Sequence, residues 1–422
     1  MNIRVAALLI GTAIAPFLLS ARASAEAGAK NPLPGPTGPY AVGRIEYDWT
    51  DESLHDPLSA KNAVELEVYV WYPAIASASA MHAPYFSQYT AFAQHDDPSD
   101  LKDDFGPSVA AFRAGTLLSH SYAGAEVSPA AATYPLLLFS PGWGFQSLQY
   151  SAQAEDLASH GYIVVAVDHP YDTTLEMYAD GRVLPFAQAE FDRQTKTTES
   201  YIAYGKRRVD VMAAENRFVL ERLATIPLAR HMDFSRIAAF GHSIGGLASA
   251  RTCQLDARVR ACMDEDSDYQ GTPFDGASER QPFLLWVVSS ADEFSRATVS
   301  PSDAELKRLG MTRAAYDAHI RANQKAQNEA LGAVAGGSLR LFAFNVPGFR
   351  HRNFSDELIF DDQNEPVLLA QDIAIIGIVR RYDFAFFERV LRNRVEPPLV
   401  RDQAHLPVPD VQVQVQCFNA SC

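Results

Sequence analysis

The pentapeptide Gly241-His242-Ser243-Ile244-Gly245 carries the clearest chemistry in the chain. A serine hydroxyl is a weak nucleophile until a base removes its proton. A Gly-x-Ser-x-Gly turn between a strand and a helix holds such a serine on a sharp backbone bend, exposed to a reactant. Arg236 to Phe240 reads as the strand and Ile244 to Leu247 as the helix start, so the context fits. The flanking glycines remove side chains that would clash at the bend. The hydroxyl then sits at a helix N-terminus, where developing negative charge is favoured.

Around such a turn the partners follow in the order serine, acid, histidine. Three histidines follow the candidate acids: His319, His351 and His405. His319 lies in a polar stretch and His405 in a Pro-rich tail, whereas His351 follows the last apolar strand by a short loop. His351 is therefore the expected base. The residues alone leave the acid open. Asp264, Asp266 and Asp268 crowd the end of one strand, and Asp292 follows the next. The acidic run also invites a calcium-loop reading, but its sixth position is Tyr269 rather than Gly and its twelfth is Asp275 rather than Glu. No Cys or His grouping has zinc spacing, so neither metal nor cofactor is expected.

The elements that must position these residues repeat along the chain. Val64 to Tyr72 alternates and is rich in β-branched and aromatic residues, which predicts a strand. Leu136–Phe139, Tyr162–Val167, Ile237–Phe240, Val259–Met263, Phe283–Val288 and Leu339–Phe344 are short apolar runs. Helical patterns separate several of them: Ser147 to Ser159, Thr198 to Leu223, Gly245 to Cys253, and finally Glu365 to Leu391. Short buried strands alternating with helices predict an α/β architecture, a mostly parallel central sheet with helices on both faces. Residues 64–395 are expected to form this domain. Within it, 74–133 reads as a loop-rich insertion and 300–335 as a helical one, with Ser300 as cap and Pro301 in the first turn. Residues 26–63 read as a lead-in that begins Gly/Pro-rich, and 396–422 as a tail.

Met1 to about Ala25 has the form of a signal peptide: Arg4, an apolar run from Val5 to Leu19, then Ala23-Ser24-Ala25. A secreted or periplasmic protein is expected. Four cysteines in an exported chain suggest bridges, Cys253 to Cys262 and Cys417 to Cys422. A formal net charge of −15 repels phosphate backbones and excludes nucleic acid as a natural partner. The 47% of hydrophobic residues suffices for a large core, and the mature chain offers no membrane-spanning segment. The sequence does not reveal the oligomeric state.

Four blocks of the chain resemble the plasma-type platelet-activating factor acetylhydrolases and their bacterial relatives. They are Phe139 to Phe145 (FSPGWGF), Asp156 to Tyr162 (DLASHGY), Phe240 to Gly246 (FGHSIGG) and His351 to Asp356 (HRNFSD). The resemblance implies the α/β-hydrolase fold and hydrolysis of a small-molecule or lipid ester. It implies an acid at the end of the strand after the serine helix. There, Arg258 to Asp266 (RVRACMDED) places Asp266, with Asp292 as the rival. It also implies oxyanion donors at the backbone N–H groups of Trp143 and Ile244. The triad so implied is Ser243, Asp266 and His351. Asp264-Glu265 stand where that family has an apolar residue before the acid, and Pro141 stands where relatives often have histidine. Two other readings stay in view: a broader or cutinase-type polyester esterase, and a non-catalytic binding protein on the same fold.

Overall fold

A computed structural model describes residues 31–394 except 62, 78, 96–100, 102–104, 268–282, 289–305, 307–311, 316–317, 319–338 and 346–348, and also describes 412–417. Its strands are β1 Ala41–Asp51, β2 Val64–Ala74, β3 His82–Pro84, β4 Leu118–Ala123, β5 Tyr134–Ser140, β6 Ile163–Val167, β7 Leu175–Met177, β8 Val183–Pro185, β9 Met232–His242, β10 Val259–Glu265, β11 Phe283–Val288, β12 Leu339–Asn345 and β13 Gln412–Cys417. Four helices matter to the site: α1 Ser151–Ser159, α2 Thr198–Leu223, α3 Ile244–Leu255 and α4 Pro366–Arg392. Eleven strands form one sheet in the order β13-β12-β11-β10-β9-β5-β6-β2-β1-β4-β3, while β7 and β8 form a separate hairpin. The run from β6 through β5, β9, β10 and β11 to β12 is parallel throughout.

Strand periodicity divides the core into two layers. In β5, Leu137 and Phe139 pack on one face with Ala238 and Phe240 of β9, against α1 and α4. Leu136 and Leu138 pack on the other with Ile237 and Ala239, against α2 and α3. Parallel strands buried on both faces must be apolar at every position, which is why the expected strands read as continuous hydrophobic runs.

The lead-in assigned to 26–63 is corrected in part. Residues 41–51 form β1, antiparallel to β2 along its full length. The Gly/Pro-rich composition ends at Pro39, and beyond it Ile45, Tyr47 and Trp49 alternate onto the core shared with β2. Upstream, Thr37 donates to Asp156 through both its N–H and its hydroxyl, at 2.8 Å each, and Arg380 donates to the carbonyls of Pro34 and Gly35. The insertion at 74–133 adds β3 and β4 at the sheet edge. Its scattered aromatics Tyr85, Phe86, Phe92, Phe105 and Phe112 form a cluster of rings closed by Phe360. Most of 300–335, including Ser300 and Pro301, lies outside the described residues.

Burial sets how stability follows pH. Asp168 accepts hydrogen bonds from the N–H and hydroxyl of Ser147, and Asp356 from the Tyr85 hydroxyl and Ala152 N–H. Desolvation nevertheless pushes their carboxyls up, to about 7 and about 8. In the unfolded chain both ionise near pH 4 (about 3.9). Their contribution is therefore complete below about pH 4 and lost as pH rises through 7 and 8. Burial drives His169 down to about 3 and His242 well below its usual range. These act in the opposite sense, but only below about pH 6.5. Between about pH 6.5 and 9 the carboxyls set the slope among these groups. The melting temperature is expected to fall across that range in scanning calorimetry; a flat or rising midpoint would contradict it.

Candidate active site

The site assembles at the C-terminal ends of the central strands, where α/β sheets bind ligands. Ser243 stands between β9 and α3 with φ 54° and ψ −128°. That positive φ is rare and costly for a residue with a Cβ. The surroundings enforce it: the Ser243 N–H donates to the Glu265 carbonyl at 2.8 Å, and its own carbonyl accepts from Gly246 N–H at 2.9 Å and from the Ser267 hydroxyl. A Cβ at Gly241 or Gly245 would collide with backbone carbonyls, Ser140 among them in both cases. The two glycines of the motif thus admit β5 to the bend.

Asp266 follows β10, is 5% exposed and takes φ 63°. Its Oδ2 lies 2.7 Å from His351 Nδ1. His351 opens a single 3-10 turn, His351–Phe354, whose N-cap Arg350 is tied to Asp362 and Asp372. The residue before the serine packs against His351: the His242 ring lies 4.3 Å from the His351 ring. His242 is itself buried, with Nδ1 2.8 Å from the Tyr150 hydroxyl. Desolvation and the adjacent His351 hold its imidazole well below the usual histidine range.

The turn Pro141–Gly144 completes the constellation. A Cβ on Gly142 would lie 3.4 Å from Ser243 Cβ, which places the turn against Ser243. The N–H of Gly142 donates to the Tyr150 hydroxyl at 3.2 Å, and the N–H of Gly144 to the Asp172 carbonyl at 2.9 Å. Among the described residues no hydrogen bond engages the Trp143 N–H between them or the Ile244 N–H at the start of α3. The Trp143 ring packs among Phe191, Tyr201 and Tyr204, centroids 5.1–5.8 Å away.

The structure therefore brings together Ser243, Asp266, His351 and both donor positions. Asp292, His319 and His405 lie outside the described residues. No group of acidic, His or Cys residues among the described ones could hold a metal ion. Cys253 of α3 and Cys262 of β10 form a disulfide, tying the helix behind Ser243 to the strand that ends beside Asp266. The expected partner bridge involves Cys422, outside the described residues. Sequence reasoning missed Tyr150, Asp172 and Arg208, which hold the turn. Buried Arg208 follows Lys206 and Arg207, and nothing in that basic run marks it.

Sheet, elbow and helices define an α/β-hydrolase. A solved structure of a ferulic acid esterase from Streptomyces cinnamoneus superposes with a TM-score of 0.67 and 26% identity, covering 90% of this chain and 98% of that one. The family resemblance read from the sequence is borne out. The family described as platelet-activating factor acetylhydrolase, isoform II, matches residues 26–226, a segment that stops short of Ser243. A probable 1-alkyl-2-acetylglycerophosphocholine esterase of Arthroderma benhamiae is 32% identical over 157 residues, 36% of this chain and 37% of that protein. The platelet-activating factor acetylhydrolase of Bos taurus is 28% identical over 178 residues, 37% of this chain and 40% of the relative. The chain thus spans less than half the length of the curated relatives it matches.

Proposed function

We propose that the chain is an exported serine carboxylic ester hydrolase that cleaves short acyl esters through Ser243, His351 and Asp266. The observation that carries this reading is the 2.7 Å contact of His351 Nδ1 with Asp266 Oδ2 beside an elbow serine at positive φ. His351 Nε2 takes the Ser243 proton as Oγ attacks the ester carbonyl. Asp266 accepts from Nδ1–H, fixes that tautomer and stabilises the imidazolium. The backbone N–H groups of Trp143 and Ile244 receive the oxyanion, each worth about 3 kcal/mol at comparable sites. The alcohol leaves with the proton from His351, and water then releases the acid from the acyl-enzyme. No step calls on a metal or organic cofactor. Export rests on the N-terminal segment; no described helix is long and apolar enough to cross a membrane.

The acetylhydrolase resemblance favours a short acyl group on a lipid. The aromatic surroundings of Trp143, together with the ferulic acid esterase neighbour, favour a second reading, an aryl or polyester substrate. A fluorophosphonate probe is expected to label Ser243 in the folded protein. Turnover of an ester panel varying acyl length and headgroup then separates the two substrate readings. Folded protein that leaves the probe unreacted supports the non-catalytic binding protein instead.

A further inference from the structure

The turn that carries the Trp143 donor is held by a buried ionic cluster. Asp172, in the loop after β6, grips it twice: its carbonyl accepts from Gly144 N–H, and its Oδ1 accepts from Trp143 Nε1 at 2.8 Å. Asp172 is 2% exposed, and so is Arg208 of α2. The Arg208 guanidinium donates to both Asp172 oxygens at 2.7–3.1 Å, to both Asp56 oxygens at 2.8–2.9 Å and to the Pro170 carbonyl at 3.0 Å. Tyr171, within the same loop, sits at φ 69°. A buried charge pair contributes little net stability compared with apolar packing, but it fixes geometry. Here the geometry fixed is that of Trp143, the residue proposed above to supply an oxyanion donor.

From this arrangement we infer that Asp172 and Arg208 are positioning residues that hold the Trp143 N–H where the oxyanion forms. The inference rests on the hydrolase reading and extends it. Arg208, anchored by Asp56, fixes Asp172; Asp172 fixes Trp143 and Gly144; the indole and the backbone of Trp143 then move as one unit. A donor displaced by about 1 Å costs on the order of 100-fold in rate. The loss should fall on the transition state, because the ground-state carbonyl does not sit where the oxyanion does.

The test compares full-length Asp172→Ala, Asp172→Asn and Arg208→Lys with wild type and with Asp180→Ala, an exposed surface change. Asp172→Ala is expected to lower kcat on a short-acyl p-nitrophenyl ester by about 100-fold. KM should stay within about twofold, and affinity for a trifluoromethyl ketone should fall in step with kcat. Asp172→Asn should recover only part of the loss, since an amide oxygen still accepts from Trp143 Nε1 while its NH2 cannot accept from Arg208. Arg208→Lys, which loses the forked donor, should resemble Asp172→Ala. If Asp172→Ala does not fold, Trp143→Phe puts a phenyl ring without an N–H in place of the indole and should show the same kcat-selective loss. Folded variants with wild-type kcat and ketone affinity, or with altered KM alone, overturn the inference. An active wild type beside unaffected variants leaves the hydrolase reading standing, whereas a wild type that neither turns over esters nor takes the fluorophosphonate overturns both.

Discussion

Ser243→Ala is expected to lower ester turnover by about a million-fold, on the order of 8 kcal/mol of transition-state stabilisation, while the protein stays folded. The size follows from removal of the oxygen that, on the proposed mechanism, forms the acyl-enzyme. What survives should exceed the reaction in water by about 10³–10⁴, because the donors proposed at Trp143 and Ile244 would persist. The fold should survive because the bonds that define the bend belong to the backbone: Ser243 N–H to Glu265 and Ser243 carbonyl to Gly246 and Ser267. Alanine at φ 54° is no more strained than serine. Steady-state kinetics on an activated ester and a thermal midpoint on the same preparation check both halves. Turnover within tenfold of wild type in the folded variant would remove Ser243 from the mechanism.

Much of this arrangement was legible in the sequence because it rests on local rules. Parallel strands need continuous apolar runs, so β5, β6, β9 and β10 announced themselves, and the pentapeptide could lie only where one of them met a helix. The order of later residues singled out His351 from three histidines, and the structure sets it against an aspartate that the family resemblance had picked. β1 was harder to see because its alternation, Ile45, Tyr47 and Trp49 against Glu46 and Asp48, is short and follows a Gly/Pro-rich stretch, and its partner β2 is what makes it a strand.

The supports of the site were not legible, since they depend on contacts between distant segments. Asp172 and Arg208 are 36 residues apart, and Asp56 and Arg208 are 152 apart. In the sequence Arg208 looks like one more solvated cation on an amphipathic helix; in the fold it is among the largest fully buried side chains. Tyr150 is similar. It reads as a core aromatic, yet its hydroxyl joins Gly142 N–H to His242. Elbow chemistry can be written into five residues, but the exactness of an oxyanion site is distributed over the whole sheet edge.

Asp266→Asn is expected to lower kcat by about 10⁴-fold with the site otherwise intact. The substitution is nearly isosteric, and asparagine is one of the few residues that tolerate positive φ, so the backbone at φ 63° should hold. The chemistry changes through the proton. An ionised Asp266 only accepts, which requires the His351 proton on Nδ1 and leaves Nε2 free to take the proton of Ser243. An asparagine amide can donate to Nδ1 instead, which shifts the imidazole proton to Nε2 and blocks the base. The lost charge also removes stabilisation of the imidazolium that forms as Ser243 attacks. Asp292→Asn, at the rival position, is expected to leave kcat within about threefold, as follows if Asp266 serves as the acid. Parallel kinetics on the two variants, each checked by circular dichroism, decide between the carboxylates. Turnover lost in Asp292→Asn and kept in Asp266→Asn would transfer the role of acid to Asp292 and reduce the 2.7 Å contact with His351 to a structural hydrogen bond.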